Sequence, residues 1–243
     1  MSYVLIAGAK SDIARAAARL YADNGYDIYL AARNVSDLDA FSKDIKVRNQ
    51  VDVKQLELDV LDYDSLEDFY NSLPEKPQGV ISAVGYLGNQ EKSQTDLKET
   101  RTIIDTNFTG IVCLFNIIAH DFEERKSGFI IGISSVAGDR GRKSNYTYGS
   151  AKAGFTAYLS GLRNRLDRAG VQVLTVKPGF VYTKMTAGLD LPGLLTARPE
   201  QVARDIYRAQ LRKRGVVYSK GVWRVIMWVI RMIPEFMFKR MSL

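Results

Sequence analysis

The sequence predicts an α/β protein in which helices cover both faces of a doubly wound, mostly parallel, seven-stranded sheet. Two observations predict it. Short continuous apolar runs, typical of strands buried on both faces, recur along the 243 residues. Helical patterns separate these runs, and such alternation favours a parallel sheet. Because no linker, repeat or low-complexity segment interrupts the pattern, we expect one domain over residues 1–220. Residues 221–243 would form an apolar and basic extension of it.

The elements follow in a regular order along the chain. Strands are expected at residues 3–7, 27–31, 52–58, 79–83, 128–133, 171–176 and 216–218. Helices are expected at residues 13–23, 63–73, 146–169 and 200–214, and two more begin near residues 94 and 106. In such sheets ligands bind outside the carboxyl ends of the strands. The functional residues are therefore expected along that edge.

Composition excludes several kinds of site. The only cysteine, Cys113, lies in an apolar run, so no internal disulfide can form and a reducing compartment is expected. The only histidine, His120, has no partner cluster, which argues against a metal site and a histidine-based triad. Met1 and Ser2 lead straight into an apolar strand, so we predict no signal peptide and a cytoplasmic protein.

The chain carries a formal charge of +7 and has a pI of about 9.4, which predicts an anionic partner. That partner is a phosphate group, a nucleic acid or an acidic membrane face. No basic–aromatic platform or helix-turn-helix is recognisable, so nucleic acid is not expected.

A glycine turn joins the first strand to the first helix. Free N–H groups and the helix dipole converge at such a turn, which favours a bound phosphate. The turn has fewer glycines than a dinucleotide fingerprint, because Asp12 and Ala14 stand where further glycines are expected. An ordinary strand–turn–helix connection therefore stays an alternative. The candidate contacts in the turn are Gly8, Lys10, Ser11, Asp12 and Ile13.

Arg33 stands at the end of the second strand, where an acidic residue would hold a ribose 2′-hydroxyl. Together with Lys10 it favours a 2′-phosphate, so NADP(H) is predicted over NAD(H). The alternative is that Arg33 is an ordinary surface charge.

Tyr148 and Lys152 lie four positions apart in a predicted helix, so the phenol and the ammonium share a face. A neighbouring cation favours the phenolate, which would adapt the tyrosine to acid–base chemistry near neutral pH. Alone, such a pair is more often a solvated helix face. Ser135 at the end of the preceding strand, with Ser134 as a less favoured alternative, completes a candidate catalytic group.

Taken together, these residues make the chain resemble the short-chain dehydrogenases/reductases over its whole length. The motifs are Ala7-Gly8-x3-Asp12-x-Ala14, Leu58-Asp59-Val60, Ser82-Ala83-Val84-Gly85, Asn107, Ser135, Tyr148 with Lys152, and Pro178-Gly179 with Thr183. Only the first glycine of the family's phosphate turn is kept. The departure places the Asp12 carboxylate close to the expected phosphates.

The resemblance implies a Rossmann-type fold and the reduction of a ketone to a secondary alcohol. Tyr148 would donate the proton and Ser135 would orient the carbonyl. Lys152 would lower the tyrosine pKa and hold the nicotinamide ribose, while Asn107 would hold a water that relays protons. The implied cofactor contacts are Gly8, Lys10, Ser11, Asp12, Ile13, Arg33, Asp59, Val60, Ala83, Gly85, Tyr148, Lys152, Pro178, Gly179, Val181 and Thr183.

A closer resemblance is to the branch that reduces decaprenylphosphoryl-2-keto-erythro-pentose. It rests on residues 148–155, 173–185 and the tail 223–240. It implies a polyprenyl-phosphate-linked keto-sugar substrate and a role in cell-envelope polysaccharide synthesis. The basic loop of Arg140, Arg142 and Lys143 could then hold the lipid-linked phosphate, with a solvated loop as the alternative.

The tail is too short to cross a bilayer, since twelve helical residues span roughly 18 Å against a core of about 30 Å. Its tryptophans and cations predict a helix in the membrane interface, and packing in a homo-oligomer or over the cleft is the alternative. For the whole chain, the competing hypotheses are an enzyme acting on a soluble carbonyl or hydroxy compound and a catalytically idle nucleotide-binding scaffold.

Overall fold

A computed structural model describes residues 2–188 and 190–241 and contains a seven-stranded parallel sheet. The strand order is β3-β2-β1-β4-β5-β6-β7, and every neighbouring pair is parallel. The predicted fold class is confirmed. The strands are β1 (Tyr3–Ala7), β2 (Asp27–Ala32), β3 (Val53–Glu57), β4 (Gly79–Ser82), β5 (Phe129–Ile133), β6 (Gln172–Pro178) and β7 (Val216–Ser219).

Helices cover both faces of the sheet. They are α1 (Asp12–Ala22), α2 (Asp39–Asn49), α3 (Leu66–Asn71), α4 (Gln90–Ser93), α5 (Leu97–Ile104), α6 (Gly110–Arg125), α7 (Tyr146–Leu166), α8 (Pro199–Leu211), α9 (Val222–Met232) and α10 (Glu235–Phe238). One apolar cluster joins one face of the sheet to α1, α2 and α8, and a second joins the other face to α3, α6 and α7.

The central strand β1 shows why both faces must be covered. All five of its residues are buried. Val4 and Ile6 belong to one apolar cluster, and Leu5 belongs to the other, as expected from the alternation of side chains along a strand. Because both faces of β1 are apolar, neither face can be left exposed to water. The alanine-rich face of α1 packs beside it and against α8.

Several local features differ from the sequence-based expectation; α4, for example, ends before the helix expected to begin near residue 94. Helix α2 was not predicted, since its sequence is polar and only Phe41, Ser42 and Ile45 are buried. The helix expected to begin near residue 106 instead starts in a π-helical turn, Asp105–Thr109, between α5 and α6. Single π turns of this kind are frequent at functional sites.

The run Leu97–Arg125 is long and apolar enough to cross a membrane by length and composition. This is weak evidence for a span, because α6 buries Leu114, Phe115 and Ile118 in the core. The expected C-terminal extension forms α9 and α10, and its last two residues, Ser242 and Leu243, lie outside the described residues. A third, small apolar cluster joins α9 to the rest of the chain through Trp223 and Met227.

Candidate active site

A cavity of about 750 Å³ lies at the carboxyl edge of the sheet, where the predicted residues meet. Of the predicted catalytic residues, Ser135, Tyr148 and Lys152 line it. The remaining predicted residues in its wall are Gly8, Lys10, Ser11, Asp12, Ile13, Arg33, Asp59, Val60, Ala83, Gly85, Arg142, Pro178, Gly179, Val181 and Thr183. Chain segments that are far apart in sequence therefore share one cleft.

The turn after β1 has the form of a phosphate cradle. Gly8 has a φ of +79°, and a Cβ there would lie 2.7 Å from the backbone nitrogen of Val84. Glycine alone permits both the left-handed conformation and the close approach to the end of β4. The side chain of Ser11 makes no capping hydrogen bond to the following helix, and Ser11, Asp12 and Ile13 at its start line the cavity. The N–H groups at the start of α1 fit the pyrophosphate of a dinucleotide.

The carboxylate of Asp12, which the sequence placed close to the phosphates, has a partner of its own. Asp12 Oδ2 accepts a 2.8 Å hydrogen bond from the backbone N–H of Lys184. The bond joins the start of α1 to the segment that follows β6. Part of the negative charge is therefore compensated within the chain, and the departure from the usual glycine does not exclude a dinucleotide.

Two cations line the cavity beside the end of β2. Lys10 pairs with Asp37, and Arg33 Nη1 lies 3.9 Å from Asp59 Oδ2. The Arg33 side chain is 65% exposed. The backbone N–H of Asn34 donates to the carboxylate of Glu57 over 2.6 Å, which fixes the chain directly after Arg33. These cations are available to an anionic group at the adenosine end.

A close backbone contact positions the candidate catalytic group. The short turn Val136–Gly138 follows Ser135 and packs on α7, where a Cβ on Gly138 would lie 2.7 Å from the carbonyl carbon of Lys152. Ser134 is buried and bonds to Lys152 O over 3.0 Å and to Thr156 over 2.7 Å. Its hydroxyl is therefore engaged in hydrogen bonds that hold it to α7. Ser135 therefore stays the better candidate for catalysis.

The ionisation of the pair differs from the simple expectation. Burial raises the pKa of Tyr148 to about 12, and a hydrogen bond with Ser135 lowers that pKa. Burial lowers the pKa of Lys152 to about 8. Lys152 Nζ donates to Ile133 O over 3.1 Å and lies 5.7 Å from the centre of the Tyr148 ring. Tyr148 is thus a protonated donor at neutral pH, and Lys152 still carries its charge there.

Asn107 lies beneath the cavity rather than in its wall. It is fully buried in the π-helical turn, and its Nδ2 donates to Tyr86 O and Ile103 O over 2.6 and 2.8 Å. Its Oδ1 accepts from Tyr86 N over 3.2 Å. The side chain therefore holds the segment after β4 that passes Lys152. Its predicted role with water stays a prediction.

The basic loop divides into residues with different surroundings. Lys143 is exposed, and neither it nor Arg140 lines the cavity. Arg140 points instead to the tail, donating to Ile230 O and Ile233 O over 2.6 Å each. Arg142 lines the cavity with Tyr148. This leaves Arg142 as the substrate candidate of the loop.

Arg142 is half-buried and only partly satisfied by the chain. Its Nη2 contacts Met227 Sδ at 3.4 Å, and its buried Nε has no hydrogen-bond partner among the described residues. Burial lowers the pKa of Arg142 and the charge of Asp139 raises it. Asp139 itself is bonded to Lys177 and Tyr218 over 2.5 and 2.8 Å. The guanidinium therefore has an N–H without an acceptor beside the cavity.

The sequence analysis missed several residues of the wall. Asn145, three positions before Tyr148, lines the cavity with a buried Oδ1 that lacks a partner within the described chain. Tyr86 and Phe180 directly follow predicted strand-end glycines, which was the available signal. The others were not predicted as site residues, although Leu58 and Val84 belong to the motifs quoted for the family. These other residues are Ala32, Asn34, Leu58, Leu61, Val84, Leu87, Thr102, Thr106, Ile133, Val136, Ala137, Lys184, Met185 and Thr186.

A protein-family model described as "short chain dehydrogenase" matches residues 2–191. The chain belongs to the short-chain dehydrogenases. It is therefore an NAD(P)(H)-dependent oxidoreductase, as predicted. An uncharacterized oxidoreductase of Mycobacterium tuberculosis is 34% identical over 98% of this chain and 96% of its own length. Sulfoacetaldehyde reductase 2 of Chromohalobacter salexigens is 33% identical over 84% of this chain and 80% of its own.

Solved structures agree in fold. A short-chain dehydrogenase from Sphingobium yanoikuyae in complex with NADPH superposes with a TM-score of 0.84, at 24% identity and over 97% of both chains. An actinorhodin polyketide ketoreductase variant with NADPH has a TM-score of 0.77, at 21% identity and over 85% of this chain and 89% of its own.

The pKa of Lys152 predicts the pH dependence of carbonyl reduction. The value of kcat/KM should be constant from pH 6 to 7 and fall about tenfold per unit above pH 8, because Lys152 then loses its charge while Tyr148 keeps its proton. Initial rates at subsaturating substrate, measured in buffers of equal ionic strength, check this. A kcat/KM that stays level or rises from pH 7 to 9.5 would contradict it.

Proposed function

We propose that the protein is an NADPH-dependent ketoreductase that converts a ketone with an anionic group to a secondary alcohol. The observation that carries the proposal is the meeting of Ser135, Tyr148 and Lys152 in one cavity with a phosphate turn. A bound nicotinamide cofactor would supply the hydride. A binding scaffold has no need of this proton-donating group.

Tyr148, Ser135 and Lys152 carry out the proton transfer that accompanies the reduction. In the transition state the carbonyl oxygen gains negative charge and needs a donor within about 2.6–3.2 Å. Tyr148 gives its proton to that oxygen, and Ser135, already bonded to the phenol, orients it. The ammonium of Lys152 stabilises the phenolate that remains. Such acid catalysis typically contributes about 10²–10⁴-fold.

The cofactor preference follows from the cations after β1 and β2. Arg33 is exposed at the cavity, and its closest carboxylate contact of 3.9 Å is too long for a strong ion pair. It can therefore turn to a 2′-phosphate at little cost. Solved structures of the same fold include complexes with NADPH and one with NAD, so the preference for NADP(H) here rests on Arg33 and Lys10.

The cavity also favours a particular class of substrate. Arg142 Nε needs an acceptor and Asn145 Oδ1 needs a donor. An anionic group beside hydroxyl groups supplies both, as in a phosphorylated keto-sugar. The polyprenyl-phosphate-linked keto-sugar implied by the sequence belongs to this class. Small soluble carbonyl compounds with an acidic group are the second candidate, because sulfoacetaldehyde, in the name of one relative, is an anionic carbonyl compound.

Replacing the proton donor tests the chemistry. Tyr148→Phe should lower kcat by at least 10²-fold while NADPH still binds, because only the phenolic proton is removed. NADPH oxidation and NADPH fluorescence titration measure the two effects. Tyr146→Phe, at an exposed tyrosine of the same helix, is the matched control and should keep full activity. More than a tenth of wild-type activity in Tyr148→Phe would remove Tyr148 from the role.

Replacing Arg33 tests the cofactor preference. Arg33→Ser should lower the ratio of kcat/KM for NADPH to that for NADH by about 10- to 100-fold, since a charged hydrogen bond contributes about 1.5–3 kcal/mol. Arg48→Ser, at an exposed arginine paired with Asp44, serves as control. A wild-type enzyme that prefers NADH, or an unchanged ratio in the variant, would refute the preference.

Replacing Arg142 tests the substrate class. Arg142→Met should lower kcat/KM by about 10- to 100-fold for a phosphorylated keto-pentose and change it less than threefold for a neutral ketone. Lys143→Met, one position on and outside the cavity, is the control. An equal loss on both substrates would show a structural role instead. The wild-type enzyme should then be assayed with the lipid-linked keto-pentose and with its soluble counterpart.

A further inference from the structure

Helix α9 is apolar on two sides, and only one of them is covered. On the inner side, Trp223 and Met227 are buried against Val136 and Phe180. On the opposite side four apolar residues at helical spacing are exposed, with Val225 at 61%, Trp228 at 65%, Val229 at 49% and Met232 at 67%. Phe236 on α10 continues this surface and is 64% exposed. We call these five residues the outer face.

The outer face is bordered by positive charge. Arg224 and Arg231 lie seven positions apart and therefore along one edge of it, and Lys239 and Arg240 follow at the end of α10. The only acidic residue in 221–241 is Glu235, and Arg140 binds it over 2.9 Å. Within residues 221–241, the charges without an ion-pair partner among the described residues are therefore all positive.

The helix pair is held firmly in place. Besides Glu235, Arg140 binds the carbonyls of Ile230 and Ile233 at the end of α9, and its guanidinium lies 3.7 Å from the centre of the Phe238 ring. Carbonyls at a helix end lack intrahelical donors, so a buried cation there stabilises the end. The outer face is thus presented on a fixed support.

From these observations we propose that the outer face docks on the surface of an anionic membrane. Exposed tryptophan and large aliphatic side chains enter the headgroup–acyl boundary, while the bordering cations bind anionic headgroups. With eleven residues α9 lies in the interface and does not span the bilayer.

The charges also distinguish a membrane from a second copy of the chain. In a two-fold interface with the two α9 helices antiparallel, the edge that carries Arg224 and Arg231 would face the same edge of the other copy. No free carboxylate in 221–241 would compensate them. An anionic surface removes this repulsion.

Docking would bring the membrane close to the chemistry. The inner side of α9 touches the cavity wall: Trp223 packs where a Cβ of Gly179 would be, and Met227 contacts Arg142. Only the thickness of one helix, about 10 Å, separates these contacts from the outer face. A headgroup with a lipid tail could therefore reach the cavity while the tail stays in the bilayer.

Flotation with vesicles tests the proposal. The full chain should bind vesicles of phosphatidylcholine with 30% phosphatidylglycerol, and bind pure phosphatidylcholine at least tenfold more weakly. Trp228→Ser/Met232→Ser and Arg224→Glu/Arg231→Glu should each weaken binding to the anionic vesicles at least tenfold. The matched controls are Val47→Ser/Leu97→Ser and Arg48→Glu/Arg165→Glu, which change exposed residues on α2, α5 and α7 and should leave binding unchanged.

NADPH oxidation with a soluble ketone is measured on every variant. It should not change, because the substituted residues do not line the cavity. Loss of vesicle binding with retained activity therefore tests docking separately from the reductase function. Wild-type protein that stays unbound with both vesicle types, or outer-face variants that bind like wild type, would overturn the proposal. So would a wild-type dimer that Trp228→Ser/Met232→Ser converts to a monomer, since a second copy would then cover the face.

Discussion

The close contact between the turn after β5 and helix α7 is the constraint on which the site depends. At Gly138 the backbone of the turn lies so near the carbonyl of Lys152 that no side chain fits between them. The contact sets the distance from Ser135 to the first two turns of α7. Burial then shifts both pKa values. It raises the pKa of Tyr148, which keeps the phenol protonated, and lowers the pKa of Lys152, which makes the ammonium easier to deprotonate. Rigid backbone packing and low solvent access thus together determine the position and the protonation of Tyr148.

The same turn leads into a loop whose two arginines, Arg140 and Arg142, contact different parts of the molecule. Asp139 is buried and fixes the start of the loop through Lys177 and Tyr218 on β6 and β7. From this anchor, Arg140 leaves toward the tail and Arg142 enters the cavity. The position of Arg142 in the cavity wall and the packing of α9 and α10 therefore both depend on neighbouring residues of one loop. Breaking the buried Asp139–Lys177 pair would disturb both.

The sequence was sufficient where local pattern decides the structure and insufficient where distant contacts do. Buried strands such as β1 carry their signal in five consecutive residues, and the positions after them brought the cofactor residues to one edge. Helix α2 carries little such signal, because most of its residues are polar. The partner of Asp12 lies 172 positions away, and Arg140 meets carbonyls 90 and 93 positions away. Neither the partner of Asp12 nor those of Arg140 could be inferred from the spacing of residues in the sequence, since tertiary packing alone determines them.

The indole of Trp223 has a consequence for how the tail can be studied. It packs over Gly179 and donates to Leu195 O over 3.0 Å, so it supports the wall beside the cofactor and the segment that follows. The change in composition near Lys220 therefore does not mark a boundary at which the chain can be truncated without disturbing the rest of the structure. Deleting the tail would uncover Gly179, free the loop around Leu195 and release Arg140 at once. A shortened chain would lose the support of the cavity wall together with the outer face, so single surface substitutions are the informative tool.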